Sequence, residues 1–139
     1  MPRRPIALSV GQHLAPRSIG PITQTDIVRF AGAGGDFNPL HHDAGYARSA
    51  GLTGVISMGQ MQAGMLAAYV TDAVHVENLR SFGVRFVGPL RIGDTLELTA
   101  VVDAVDPEAG TAELGLAAVT AEHTVVTGSA TVRIATGPH

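Results

Sequence analysis

The hydrophobic and polar positions of this chain predict one long helix near its centre. Between residues 57 and 73, apolar side chains such as Met61, Met65 and Leu66 recur at helical spacing among glycines and alanines. The segment has no clearly charged face before Asp72, so the helix is expected to be buried nearly all round. Its many small residues would let a sheet or a partner backbone approach closely.

From residue 79 onward the apolar positions alternate with polar ones, which is the period of a β-strand. Turn signals rich in glycine, proline and aspartate separate the alternating runs. The predicted strands are 79–86, 95–104, 111–120 and 125–134. Consecutive strands with short turns indicate an antiparallel meander, and a meander after a buried helix predicts an α+β sheet that wraps that helix.

Two short helices are predicted before the long one. Thr23 and Asp26 are spaced as in a capping box, and the helix that they begin runs into a glycine-rich stretch that ends it. Asp43 can cap a second helix over residues 44–50. Between the two helices Pro39 restricts the backbone and offers no N–H, so this part of the chain is irregular and rich in polar side chains. Irregular segments of this kind often hold chemistry.

The composition changes this picture in one respect, which is the scarcity of charge. The chain has 139 residues, of which 45% are hydrophobic and only 15% charged. This length fits one domain, over residues 1–139, with ample material for a core. A charged fraction well below the usual quarter suggests that part of the surface is hidden from water, as burial in an oligomer would hide it. An alanine-rich composition from a high-GC genome would produce the same bias.

Charge and missing residue types disfavour several classes of function. A formal net charge of −3 provides no basic face for nucleic acid. The chain has no cysteine, so disulfides and thiolate metal sites are excluded. The N-terminal segment lacks the apolar core of a secretory signal, and no run approaches the ~20 apolar residues of a membrane span. The sequence therefore predicts a cytoplasmic protein that binds neither nucleic acid nor membrane.

The densest polar cluster of the chain comprises Asp36, Asn38, His41, His42 and Asp43. Asp36 and His41 are five residues apart, too far for one face of a regular helix, but the proline bend can fold both side chains into one pocket. A carboxylate beside an imidazole is a plausible acid/base pair, because histidine exchanges protons near neutral pH. Asn38 can orient a water or the carboxylate.

Two other interpretations of this cluster stay open at this point. Aspartate and asparagine side chains also cap backbone amides, and spacing alone favours a plain turn with solvated histidines. The adjacent His41 and His42 suggest a metal site. Neighbouring histidines point in different directions, however, and no third ligand has suitable spacing, so no metal is predicted.

The residues around the cluster resemble a known family. The run from Phe30 to His41 contains the pattern D-x-N-P-x-H and is similar to the signature of the MaoC-like, or hydratase 2, family. The resemblance continues through the small-residue helix around Gly59, through residues 82–86 and through the turn at 89–94. It covers most of the chain in the right order. Within the family, the middle and C-terminal part is most similar to the catalytic subunit of mycolic-type (3R)-hydroxyacyl-ACP dehydratases.

The resemblance implies a hotdog fold, in which an antiparallel sheet wraps around the long helix and two subunits join their sheets in a dimer. Residues 23–53 would then form an overhanging segment that brings the D-x-N-P-x-H motif to the substrate. The implied reaction is the reversible addition of water to a trans-2-enoyl thioester of CoA or ACP, which gives a (3R)-3-hydroxyacyl thioester. It needs no cofactor, because it is neither a redox reaction nor a group transfer.

By the same resemblance, Asp36 and His41 transfer the protons, with Asn38 beside them in the motif. The matching oxyanion donor is the backbone N–H of Gly59, at the start of the central helix. Such a role agrees with the physics of a helix N-terminus, which presents unpaired N–H groups and a positive dipole end to an anion. Helix–sheet packing is a second reason for a glycine at this position, and both reasons can hold together.

Two positions depart from the family pattern. Relatives commonly have His-Gly where this chain has Met58-Gly59, and some hydratases have a serine near the position of Ala67. These changes make the expected pocket more apolar without removing the acid/base pair. Met58, Met61 and Met65 are candidates for an acyl tunnel, since methionine adapts to varied apolar shapes, although ordinary core packing is the simpler role for them.

Two rival functions share the fold. A hotdog thioesterase usually places a carboxylate on or near the central helix, and this chain has none between Ser57 and Thr71. A non-catalytic partner subunit of a heterodimeric dehydratase has no chemical need for an intact Asp36, Asn38 and His41. The sequence therefore favours a hydratase or dehydratase, acting as a homodimer or paired with a related hotdog subunit.

Overall fold

An antiparallel five-stranded sheet packs against one long helix in the computed structural model, which describes residues 3–136. In chain order the elements are β1 (Arg17–Ile19), α1 (Gln24–Gly34), α2 (Ala44–Ser49), α3 (Gly59–Val74), β2 (Leu79–Phe86), β3 (Leu96–Asp106), β4 (Thr111–Val119) and β5 (Thr124–Arg133). Short 3₁₀ turns at Pro39–His41 and Val76–Asn78 precede α2 and β2. This is the α+β hotdog arrangement that the family resemblance implies.

The sheet confirms the four predicted long strands, but the expectation that all four form one meander is wrong. The strand order is β1-β3-β4-β5-β2, so β2 pairs with β5 and not with β3. The nine residues between Phe86 and Leu96 are too many for a tight hairpin. In addition, β1 occupies the free edge of β3, with Arg17 opposite Leu98. β2 therefore pairs with the outer edge of β5.

The central helix buries one side against the sheet and leaves a stripe open on the other. Leu66, Val70 and Val74 are fully buried and share one core cluster with the inward-facing residues of β3. Full burial of such a side chain contributes roughly 1.5–3 kcal/mol of transfer free energy. Gly64 and Ala68 are exposed, so the expectation of a helix buried nearly all round is wrong for the single chain.

The first helix begins where its capping box predicts. The Thr23 hydroxyl accepts the N–H of Asp26 at 3.1 Å, and the Asp26 carboxylate accepts the N–H of Thr23 at 2.9 Å. This backbone hydrogen bond from Thr23 holds the pKa of Asp26 below its ordinary value. The helix ends at Gly35, whose φ of 71° is the left-handed conformation that a C-terminal glycine supplies. The next residue along the chain is Asp36.

Candidate active site

Asp36 is held by the backbone around it. Its N–H donates to the carbonyl of Ala31 at 3.0 Å, which continues the hydrogen bonding of α1 past its last turn. Its Oδ1 accepts the N–H of Asn38 at 3.3 Å. The other carboxylate oxygen, Oδ2, lies 3.4 Å from Nε2 of His41. The structure therefore brings the two predicted acid/base residues together.

Asn38 supports the turn between them. Its Oδ1 accepts the N–H of Leu40 at 3.0 Å and so caps the 3₁₀ turn that carries His41. The side chain is exposed and is not part of the lining of the cavity that Asp36 and His41 share. The turn-capping interpretation of the motif thus holds for Asn38, while a direct catalytic role for its amide stays a prediction.

Both ring nitrogens of His41 contact an oxygen atom. The side chain is only 9% exposed, whereas that of Asp36 is 42% exposed. Nδ1 lies 2.8 Å from the carbonyl oxygen of Ile56. A carbonyl only accepts hydrogen bonds, so this contact requires a proton on Nδ1 and leaves Nε2 as the atom that can exchange one. The Gln24 amide also donates to the His41 carbonyl at 3.0 Å and ties α1 to the turn.

Asp36 and His41 open into a cavity of about 550 Å³ at the start of α3. The wall opposite them comes from the end of β2 and the segment that follows it. The lining residues are Asp36, His41, Ile56, Ser57, Met58, Gly59, Gln60, Gln62, Phe86, Val87, Gly88 and Pro89. The cavity thus combines one acid/base pair with one helix N-terminus.

Gly59 is the first residue of α3 and lines this cavity. An N–H in the first turn of a helix has no intrahelical acceptor, and among residues 3–136 no hydrogen bond of the Gly59 amide is found. The helix dipole adds a partial positive charge at the same place. A Cβ added at this position would lie 2.8 Å from Cε1 of Phe86, so a side chain at Gly59 would have to displace that ring.

The three predicted tunnel methionines lie in two different places. Met58 is buried and lines the cavity with Asp36. Met61 belongs to the core and Met65 packs against it, and both line a second cavity, of about 770 Å³, between α1 and the open stripe of α3. Their role as an acyl tunnel stays a prediction. His42 is exposed and lies outside both of these cavities.

Ser57, Gln62 and Phe86 are among the lining residues of the cavity with Asp36 that the sequence did not predict. Ser57 and Gln62 are buried, and the Ser57 hydroxyl donates to Oε1 of Gln62 at 2.8 Å. The glutamines at positions 60 and 62 of a largely apolar helix were the available signal for this pair, because a buried amide needs a partner. Phe86 gave no such signal, since an aromatic residue at the end of a strand is ordinary.

No cluster of three or more histidine, aspartate or glutamate side chains that could hold a metal is found within residues 3–136. Over the same range, none of the helices has the length and hydropathy needed to cross a bilayer. The second histidine of the motif, His42, contacts the carbonyl of Phe37 at 3.3 Å.

Residues 6–127 match the MaoC like domain family. The chain belongs to that family. This match confirms the resemblance read from the D-x-N-P-x-H motif and the elements that follow it.

Relatives of this MaoC-like chain carry related descriptions. It is 30% identical to an (R)-specific enoyl-CoA hydratase of Rhodospirillum rubrum over 81% of its own length and 80% of the relative. It is 29% identical to a 3-hydroxybutyryl-CoA dehydratase of Methylorubrum extorquens over 81% and 73% of the two chains. A solved structure, the ChsH1-ChsH2 complex from Mycobacterium tuberculosis, superposes with a TM-score of 0.82 at 25% identity, covering 93% of this chain and 100% of that one.

Family membership and these two curated relatives place the MaoC-like chain among the hydro-lyases, enzymes that add or remove water. Its fold and its class of reaction follow from these comparisons together with the sheet and helix described for residues 3–136.

Proposed function

We propose that this protein adds water to trans-2-enoyl thioesters, and removes it from (3R)-3-hydroxyacyl thioesters, with Asp36 and His41 as the acid/base pair. The observation that carries the proposal is the 3.4 Å approach of Asp36 Oδ2 to His41 Nε2 inside a cavity that also holds a free helix N-terminus. The carrier of the acyl group is CoA or ACP.

In the hydration direction, one water would bind beside the two side chains and bridge them. Oδ2 of Asp36 and Nε2 of His41 can each accept a hydrogen bond from one of the two O–H groups of this water, since the two atoms are close enough for a single water to reach both. The water oxygen attacks C3 of the enoyl group and forms the new C–O bond. The pair takes one proton from the water and delivers one proton to C2, so that the atoms of one water are added across the double bond.

Negative charge collects on the thioester oxygen as the water attacks. The N–H of Gly59 is the donor that we assign to this oxygen, because it is unpaired, lines the same cavity and lies at the positive end of α3. Loss of a single donor of this kind commonly lowers kcat about 10²- to 10³-fold. The proton transfer and the oxyanion contact together account for the chemistry without a metal.

The proposal also includes the domain organisation and the oligomeric state. Residues 1–139 form one domain, and residues 23–53 act as the overhanging segment that carries the acid/base pair. Two copies join along β2, which is at the edge of the sheet and has an unpaired outer side within the described chain. The similarity to a two-protein complex, ChsH1-ChsH2, makes a related hotdog subunit the alternative partner.

The test is an assay on purified protein whose mass has first been measured by light scattering, with twice 14.3 kDa expected. Crotonyl-CoA, longer trans-2-enoyl-CoAs and the matching ACP thioesters are supplied, and loss of enoyl absorbance and release of free thiol are followed together. We expect absorbance loss without thiol release. Asp36→Asn and His41→Ala should each lower kcat/KM by about 10²- to 10⁴-fold.

His42→Ala is the matched control, because it removes the same ring from the next residue, outside the cavity. It should keep hydration within a few-fold of the wild type. Protein-dependent thiol release would overturn the proposal in favour of a thioesterase. Inactivity with every chain length and both carriers would overturn it in favour of a non-catalytic partner subunit.

A further inference from the structure

The ring of Phe86 covers the start of the central helix. Phe86 is the last residue of β2, and its ring atoms Cε1, Cδ1 and Cζ lie 2.8, 2.9 and 3.1 Å from the point where Gly59 would carry a Cβ. Contacts under 3.0 Å are closer than a real Cβ makes, so the ring occupies the space that a side chain at Gly59 would need. The ring and the Gly59 N–H therefore share one corner of the cavity.

The segment after Phe86 is anchored from behind, which restricts where the ring can go. The N–H groups of Val87 and Gly88 both donate to the carbonyl of Val125, at 2.9 and 3.1 Å. Nε2 of His123 lies 2.7 Å from the carbonyl oxygen of Pro89, on the neighbouring turn. This wall of the cavity is consequently held to β5 by two hydrogen bonds and to the turn before β5 by the His123 contact. Displacement of the ring would require these bonds to break or the Phe86 rotamer to change.

A substrate held by Gly59 must fit beside this wall. The thioester oxygen at the Gly59 N–H is bonded to C1, and the two other substituents of C1 are the sulfur and C2. Sulfur is present in every thioester substrate, so the group that varies next to C1 is the substituent on C2. C2 must also face Asp36 and His41, which line the same cavity as Phe86. A branch on C2 would therefore enter the part of the cavity that Phe86 lines together with Asp36 and His41.

Resting on the hydratase function already assigned, we propose that Phe86 is a specificity-determining residue that selects acyl thioesters without a branch at C2. The ring sets the width of the slot above the Gly59 N–H. A methyl group on C2 requires the ring to move, whereas a hydrogen does not. Shape exclusion by one methyl-sized group typically changes kcat/KM by about 10- to 200-fold.

The test compares crotonyl-CoA with its C2-methyl analogue, trans-2-methyl-2-butenoyl-CoA, in the wild type and in Phe86→Ala. The readout is kcat/KM for the branched substrate divided by kcat/KM for crotonyl-CoA, compared between the wild type and Phe86→Ala. The intrinsic reactivities of the two substrates are the same for both proteins, so they cancel in this comparison. Phe86→Ala should shift this ratio toward the branched substrate by about 10-fold or more. Phe86 is 51% exposed, so its removal leaves the core intact.

Phe82→Ala is the control for the loss of a phenyl ring from the same strand. Phe82 lies four residues earlier in β2, packs against the core and is absent from the lining of the cavity. It should lower stability and leave the substrate ratio unchanged. An equal shift in Phe82→Ala and Phe86→Ala would show that general loosening of β2, and not the ring over Gly59, sets the preference.

A second pair of variants tests the contact itself. Gly59→Ala keeps the N–H but places a methyl group against the ring, and it should lower kcat/KM for crotonyl-CoA. Adding Phe86→Ala to that variant should recover activity by about 10-fold, because the clash is removed. No recovery, or no effect of Gly59→Ala, would mean that the contact does not shape the slot.

The outcomes separate this assignment from the function on which it rests. A wild-type protein that hydrates no trans-2-enoyl thioester, whatever the chain length or carrier, overturns both. Hydration of crotonyl-CoA with the same substrate ratio in the wild type and in Phe86→Ala overturns only the role of Phe86. A shifted ratio in Phe86→Ala, with an unchanged one in Phe82→Ala, supports it.

Discussion

The buried pair of Ser57 and Gln62 offers a sharp test of how the start of the central helix is held. The Ser57 hydroxyl donates to Oε1 of Gln62 at 2.8 Å, and the two residues are 5% and 2% exposed. The N–H of Ser57 also donates to the carbonyl of Leu90 at 2.8 Å. Ser57 is two residues before Gly59, so the pair supports the backbone that carries the proposed oxyanion donor.

The size of the effect follows from which polar atom loses its partner. Ser57→Ala leaves a buried amide oxygen without a donor, which costs about 1–3 kcal/mol of the free energy of unfolding. For a chain of this length, that corresponds to a decrease in Tm of roughly 3–10 °C. Replacing both partners, as in Ser57→Ala with Gln62→Leu, removes the orphaned oxygen. The double variant should therefore lose less stability than the sum of the two single ones, by about 1 kcal/mol.

The measurement is urea denaturation of the wild type, the two single variants and the double variant at one protein concentration. Ser57→Thr is the control, because it keeps the hydroxyl. Strict additivity of the two single changes would refute the reasoning, since it would mean that the hydrogen bond contributes nothing beyond its separate parts. A Ser57→Ala variant that is as stable as the wild type would also refute the reasoning.

Two further predictions concern helix α1 and the N-terminal segment. Thr23→Ala should lower the free energy of unfolding, measured by urea denaturation, by about 1 kcal/mol, because the N-cap of α1 is lost. Thr23→Ser keeps the hydroxyl and should not lower it. Equal losses in the two variants would contradict the capping role. The N–H of Arg3 lowers the pKa of Glu77 to about 2 from its ordinary 4.5, so this contribution to stability is present above pH 4.5 and is lost as the pH falls toward 2. Glu77→Gln should therefore flatten the decline of the urea midpoint between pH 5 and pH 3, and an unaltered profile would refute the linkage.

Local chemistry explains why several parts of the fold could be predicted. The capping box of Thr23 and Asp26 acts within four residues, so α1 begins where the sequence indicates. Asp43 caps α2 in the same local way, with its side chain accepting the N–H of Tyr46. Alternation of apolar and polar residues placed all four long strands within two residues of their ends. The D-x-N-P-x-H pattern could likewise be recognised, because its residues are close along the chain.

The features that could not be predicted all depend on residues far apart in sequence. The pairing of β2 with β5 was missed because periodicity describes a strand and not its neighbour. The Phe86 ring over Gly59 joins positions 27 residues apart, which no spacing rule relates. The stripe of α3 at Gly64 and Ala68 was expected to be buried, because small apolar residues read as core whether or not anything covers them.

The acid/base pair shows where the two kinds of information meet. By itself the sequence determined that a carboxylate and an imidazole flank a proline bend, since these identities and the backbone restriction of proline are local. Spacing alone could not separate a catalytic pair from a plain turn. The tertiary structure brings the two side chains together, because Ile56, 15 residues away, holds Nδ1 of His41 and turns Nε2 toward Asp36. Only packing between distant segments can orient a side chain in this way, and the same packing builds the cavity around the pair.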